Sequence, residues 1–127
     1  MGLFSSAKKR VEPYGLLKAD AAQLARLESR GVDVTAPRES EFAVCFTTQQ
    51  HADAASAALR ADRVRHELVP PSHDIPDWTI VLAARDQPLV PDFLRDRVDL
   101  CRALATTHQG DYEGWVALLT DEEKAAS

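Results

Sequence analysis

Glu41-Phe-Ala-Val-Cys-Phe-Thr47 changes side-chain character at nearly every step. Successive side chains of a strand point to opposite faces, so Phe42, Val44 and Phe46 share one face and Ala43 and Cys45 the other. The segment reads as a strand with its aromatic face on the core. The period then changes. Thr48 is a fitting N-cap for a helix over residues 49–61, in which Ala54, Ala55, Ala58 and Leu59 make a small-residue side able to lie close to a sheet. Residues 63–69, Arg-Val-Arg-His-Glu-Leu-Val, alternate again, with Val64, His66 and Leu68 on one face. Three prolines between Pro70 and Pro76 make a loop. Trp78–Arg85 is apolar on both faces, as a central strand is.

A long helix is expected from about Val90 to His108. At 100° per residue Val90, Leu94, Val98, Cys101, Leu104 and Ala105 fall in one arc, with Asp92, Asp96 and Asp99 on the opposite side. Gly110 is placed to stop this helix, and Tyr112-Glu-Gly-Trp-Val-Ala117 is a short last strand. Upstream, residues 19–30 form a first helix, with Leu24 and Leu27 on the face of Leu17 and Ala21 and Gly31 at its end. The order is a helix followed by β-α-β-β-α-β. That is the α+β, ferredoxin-like split βαβ plan, an antiparallel sheet with both later helices on one face, here with an extra N-terminal helix. Residues 19–119 make the domain, between a flexible basic tail at 1–18 and a charged flexible tail at 120–127.

The 127 residues fit one domain, and 45% hydrophobic content excludes wholesale disorder. No apolar run approaches the roughly 20 residues of a membrane helix, and no signal-peptide core follows the start. The default compartment is therefore a reducing cytoplasm. Met1-Gly-Leu-Phe-Ser-Ser6 matches the pattern for myristoylation at Gly2, against the plainer reading of a basic tail. Net charge is −5, and residues 74–123 hold eleven acids against four arginines. A body this acidic repels phosphate backbones and suits a basic protein partner, so direct nucleic-acid binding is not expected. Abundant Ala, Asp and Arg with no Asn is the composition of a bacterium with a GC-rich genome.

Nothing in the chain has the spacing of a catalytic, cofactor or metal motif. His51, His66, His73 and His108 are scattered over different elements, and Cys45 and Cys101 read as small buried hydrophobes. Two constellations stand out instead. Asp92, Asp96 and Asp99 repel one another by a few tenths of a kcal/mol per pair, which a docked arginine-rich segment would relieve. The plainer alternative is a solvated helix face eased by Arg95 and Arg102. Arg38 and Glu39 begin the first strand of the sheet, and Tyr112, Glu113 and Trp115 begin the last. These neighbouring strands suggest one recognition corner anchored by Trp115. The structural alternative has Arg38 holding an acid, Gly114 supplying an unusual backbone angle and Trp115 closing the core.

The helix ending Gly31-Val-Asp33, then Pro37-Arg38-Glu39, then Phe42-Ala-Val-Cys-Phe46 resemble the RraB family. So does Leu104-Ala-Thr-Thr-His-Gln-Gly-Asp-Tyr-Glu-Gly-Trp115, the more specific half, since the family closes a long helix with a Gly-containing turn and a Tyr-Asp-Gly-Trp-like motif. The likeness spans about residues 19–117. It departs from the family pattern at Val32-Asp33 and in the long Pro-rich loop at 70–76. The resemblance implies a non-catalytic protein that binds the scaffold region of the endoribonuclease RNase E and slows decay of some transcripts. Alternatives of other classes are an immunity-type or accessory module with a different partner, a homodimer through the uncovered sheet face, and a small-ligand-binding domain of the same fold.

Overall fold

The computed structural model describes residues 9–12 and 14–126; the Gly2 pattern lies outside them. In chain order the elements are β1 (Arg10–Val11), β2 (Leu16–Leu17), α1 (Lys18–Ser29), β3 (Arg38–Phe46), α2 (Gln49–Ala61), β4 (Glu67–Val69), β5 (Trp78–Gln87), α3 (Pro91–His108), β6 (Asp111–Ala117) and α4 (Asp121–Ala126). Thr48 caps α2 as its sequence implies, its hydroxyl accepting from the His51 amide at 3.2 Å. The strands form an antiparallel sheet of order β4-β5-β3-β6 and a separate β1-β2 hairpin. The protein is thus mixed α+β.

β3 lies inside this sheet. Its register sets Phe42 against Leu82 of β5 and Trp115 of β6, and Val44 against Ile80 and Tyr112. Phe42, Val44 and Phe46 are buried, in one core with Ala52, Ala55 and Leu59 of α2 and Leu94, Val98 and Cys101 of α3. Cys45, on the other face, is half-buried. β5 lies between β3 and β4, as its apolar sequence implies.

Five expectations are corrected. The segment before residue 19 is not all tail: Gly15 turns at φ +68, and the Leu16-Leu17 pair it delivers is buried. Residues 120–127 are not all tail either. Thr120-Asp-Glu-Glu123 is a capping box that starts α4, with the Glu123 amide donating to Thr120 Oγ1 at 3.1 Å and the Thr120 amide to Glu123 Oε1 at 2.9 Å. The alternating run 63–69 pairs only from Glu67 onward. There α2 ends in a left-handed residue, Arg63 at φ +58, and the His66 ring is held off the strand line: its Nδ1 donates to the Val64 carbonyl at 2.9 Å. Its Nε2 accepts from Ser56 Oγ of α2 at 2.7 Å. The turn after α3 belongs to Gln109, at φ 61, rather than to Gly110.

The fifth concerns the recognition corner. β3 and β6 run antiparallel, so the start of β6 at Asp111 faces Cys45 near the end of β3. Arg38 and Tyr112 therefore sit at opposite ends of the pair.

Gly110 serves by its lack of a side chain. A Cβ there would lie 2.5 Å from Phe46 Cε1 and 2.6 Å from the Cys45 carbonyl oxygen. Gly110→Ala is expected to lower stability by about 1–3 kcal/mol through this overpacking, read as a lower urea midpoint with unchanged slope.

Candidate functional site

The first turn of α1, the bulged start of β6 and the middle of β3 enclose two adjoining hollows. The larger, about 470 Å³, runs between Ala19, Asp20, Gln23 and Arg26 of α1 and the sheet. Its floor is one row across the sheet, Val81, Ala43 and Gly114, on the face away from Phe42. Glu41 and Glu113 stand on its walls. The smaller, about 210 Å³, lies between α1, the end of α3 and Asp111-Tyr112-Glu113.

A β-bulge shapes both. Ala43 faces Gly114 but Val44 faces Tyr112, so Glu113 is extra, and Gly114 takes φ +127. The bulge turns both Tyr112 and Trp115 inward. Tyr112 donates its hydroxyl to Asp20 Oδ1 at 2.9 Å. Trp115 is buried, its ring stacked on Phe42 at 6.2 Å. Asp20 Oδ2 and Trp115 Nε1 are both buried without a hydrogen-bond partner among the described residues, and both residues line the larger hollow. A buried unmatched acceptor and donor each cost about 1–3 kcal/mol. Burial pushes the Asp20 carboxyl above its usual 3.8, and the Tyr112 hydroxyl and the Arg102 charge pull it part of the way back. Burial and the neighbouring Asp20 likewise hold the Tyr112 phenol well above its ordinary range.

The acidic stripe is elsewhere, and the chain itself already engages it. Asp92 accepts from Arg95, and Asp99 from Arg10 of the N-terminal hairpin; Asp96 is exposed between them. Arg95 also donates to the Tyr14 carbonyl at 2.8 Å, and Arg10 to the Gly15 carbonyl at 2.6 Å. Two arginines thus pin the β1-β2 turn to α3.

Arg38, at the far end of β3, forks onto Glu123 at 2.7 and 2.8 Å and donates to the Asp33 carbonyl at 2.8 Å. Its side chain is 8% exposed. Glu39 is 3.3 Å from Arg85, and its carbonyl accepts from the Leu118 amide at 2.9 Å. So the structure brings Tyr112, Glu113 and Trp115 together, and keeps Arg38 and Glu39 and the three aspartates apart from them and from each other. Sequence reading missed Asp20 and Glu41. Asp20 carried a signal in its position, an acid on the Leu24–Leu27 side of α1.

The family described as "RraB: Regulator of ribonuclease activity B" matches residues 17–116. The chain belongs to the RraB family. No curated protein and no solved structure matches it. The RraB match opens at Leu17, the last residue of the β1-β2 hairpin, and closes at Val116, one residue short of the end of β6, so it holds the four-stranded sheet but for Ala117 and the residues lining both hollows. The family is one of regulators of ribonuclease activity, not of catalysts. Among the described residues no three or more His, Cys, Asp or Glu side chains are grouped to hold a metal, and no helix is long and apolar enough to cross a membrane.

Tyr112→Phe strips from the Asp20 carboxyl its one hydrogen-bond donor among the described residues and is expected to cost about 1–3 kcal/mol in urea denaturation. Asp20→Asn keeps an acceptor for Tyr112 and removes the buried charge. Because the folded Asp20 value is raised, wild-type stability declines as pH rises from about 3.8 through that value, and the Asn variant lacks this decline. The Arg38 fork, with the Thr120 amide, holds the Glu123 carboxyl down to about 2. Its contribution is therefore full above the ordinary 4.5 and is lost as pH falls toward 2. Protection of the 121–126 amides, taken relative to their intrinsic exchange rates at each pH, should fall over that window, and Glu123→Gln should show the lowered protection already at neutral pH.

Proposed function

We propose that this protein is a non-catalytic regulator that binds an RNase E-type endoribonuclease and so modulates mRNA decay. The observation that carries this reading is the RraB match over residues 17–116. The partner segment is basic, and it seats in the hollow between α1 and the sheet. Asp20, Glu41 and Glu113 there outnumber Arg26; the unmatched Asp20 Oδ2 offers an acceptor to an incoming guanidinium or amide N–H, and Trp115 Nε1 a donor to an incoming carbonyl. Glu113 is the exposed contact, while Tyr112 and Trp115 hold the bulge from beneath. Asp96 and its partly engaged neighbours Asp92 and Asp99 steer approach rather than dock, since arginines of the same chain hold two of the three. Arg38 and Glu39 act through the C-terminal segment they fix. The strand order, with a long helix after the first and third strands of the sheet, supports the ferredoxin-like plan for this scaffold.

A second copy of the chain is the rival occupant. Val116 and Leu118 are 51% and 40% exposed along the β6 edge, which favours that reading. Capture of the tagged protein from its own lysate at low and high salt, with a light-scattering mass, separates the two. The expected result is a monomer that retains an RNase E-type nuclease at low salt and loses it at high salt. Glu41→Gln with Glu113→Gln should weaken retention about tenfold, while Asp96→Asn should change it severalfold at most. A nuclease held equally by the double variant overturns the docking surface. A dimer with no nuclease under either condition overturns the function.

A further inference from the structure

On the side of the sheet away from the α1–β6 hollow, four arginines meet. Where residues 63–66 fail to continue β4, the edge of β5 beyond Val81 is left without a partner on that side. The resulting notch, about 300 Å³, is lined by Arg63, Arg65, Arg85, Arg97 and the Gln87 amide. In a chain of net charge −5 this is a local reversal of sign. The guanidinium groups have few anions of their own. Arg85 reaches Glu39 at 3.3 Å with its side chain 57% exposed, and Arg97 lies over the Phe93 ring at 5.9 Å. The side chains of Arg63 and Arg65 make no hydrogen bond or ion pair among the described residues.

The backbone on both sides of the notch is held in forms that suit few residues. Arg63 takes a left-handed conformation, a helix-ending position that glycine ordinarily fills. On β5, Asp86 is also left-handed, at φ 56, in a bulge that sets Arg85 and Asp86 against Glu39 alone. The Ser56–His66–Val64 bridge keeps the lead-in bent away from β5, so the notch stays open. Four like charges drawn around one hollow repel unless an anion neutralises them.

We propose that this notch is a phosphate-binding site, taking a doubly charged phosphate, free or as the monoester of a nucleotide. Planar guanidinium groups grip phosphate oxygens in pairs. With Arg85 shared with Glu39, a lone carboxylate would still leave most of the remaining charge uncompensated, whereas a phosphate brings about −1.5 to −2. An RNA strand is a poorer occupant. It requires a basic path across several nucleotides, and the chain as a whole carries a net charge of −5. The site is separate from the proposed partner surface, sharing no residue with it.

The test is titration of the full chain with inorganic phosphate, adenosine monophosphate and succinate at constant ionic strength, followed by amide shifts. Saturable shifts confined to residues 63–65 and 83–87 with the two phosphates, and weaker binding of succinate, support the site. Tighter binding of the nucleotide assigns the ester, and equal binding the phosphate group alone. Arg63→Gln with Arg65→Gln should lower affinity at least about tenfold with an unchanged thermal midpoint. No saturable response, equal binding of succinate, full affinity in the double variant, or a response to an oligoribonucleotide alone overturns it. None of these outcomes bears on nuclease capture.

Discussion

Phe42 is the constraint on which the rest depends. Fully buried in an interior strand, it is stacked on Trp115 of β6 at 6.2 Å and meets Phe93 of α3 edge-on at 6.1 Å. Burying such a ring contributes roughly 1.5–3 kcal/mol, and each aromatic pair about 0.5–1.5 kcal/mol more. The consequence reaches the site. Trp115 must face Phe42 and Tyr112 must face Val44, yet residues three apart on a regular strand point to opposite faces. Both can turn inward only if one residue is extra. Glu113 is that residue, and Gly114, at φ +127, absorbs the turn. The bulge that carries Glu113 out to solvent is thus a product of core packing on both sides of it.

The sequence was most legible where one period ran long enough. Alternation over 41–47 and Thr48 before an alanine-rich run located β3 and α2 well, because burial and capping agree there. It was least legible where a tertiary pairing overrides a local pattern. Arg63–His66 alternate as faithfully as Glu67–Val69, but a left-handed Arg63 and a His66 ring tied to Ser56 take them off the sheet. Two-residue strands such as Leu16–Leu17 carry no period at all. The start of α4, by contrast, had a readable signal in Thr120-x-x-Glu123, which its heavy charge obscured.

The candidate site was half legible for a related reason. Tyr112, Glu113 and Trp115 stand close in sequence and stay close in space. Joining them to Arg38 and Glu39 failed on strand direction alone, since antiparallel neighbours separate their starts by the length of the ladder. Asp20 escaped notice because a single acid at the first turn of a helix is ordinary. What makes it unusual is the Tyr112 hydroxyl, which approaches it from 92 residues away.

Net charge alone misdescribes this surface, because the signs are sorted by position on one sheet. Arg10, Arg38 and Arg95 are consumed in fixing the β1-β2 turn and the α4 segment to the body, through Asp99, Glu123, Asp92 and main-chain carbonyls. With those cations engaged, the β6 side is left with Glu41, Glu113 and Asp20 around a hollow. The β4–β5 side is left with Arg63, Arg65 and Arg97, and Arg85 shared with Glu39, around another. A field of this form repels a polyanion from most of the molecule while leaving one small place where a single phosphate gains several donors at once. The same acidity that argues against binding a nucleic-acid strand is therefore what would make a lone basic notch selective for a small anion.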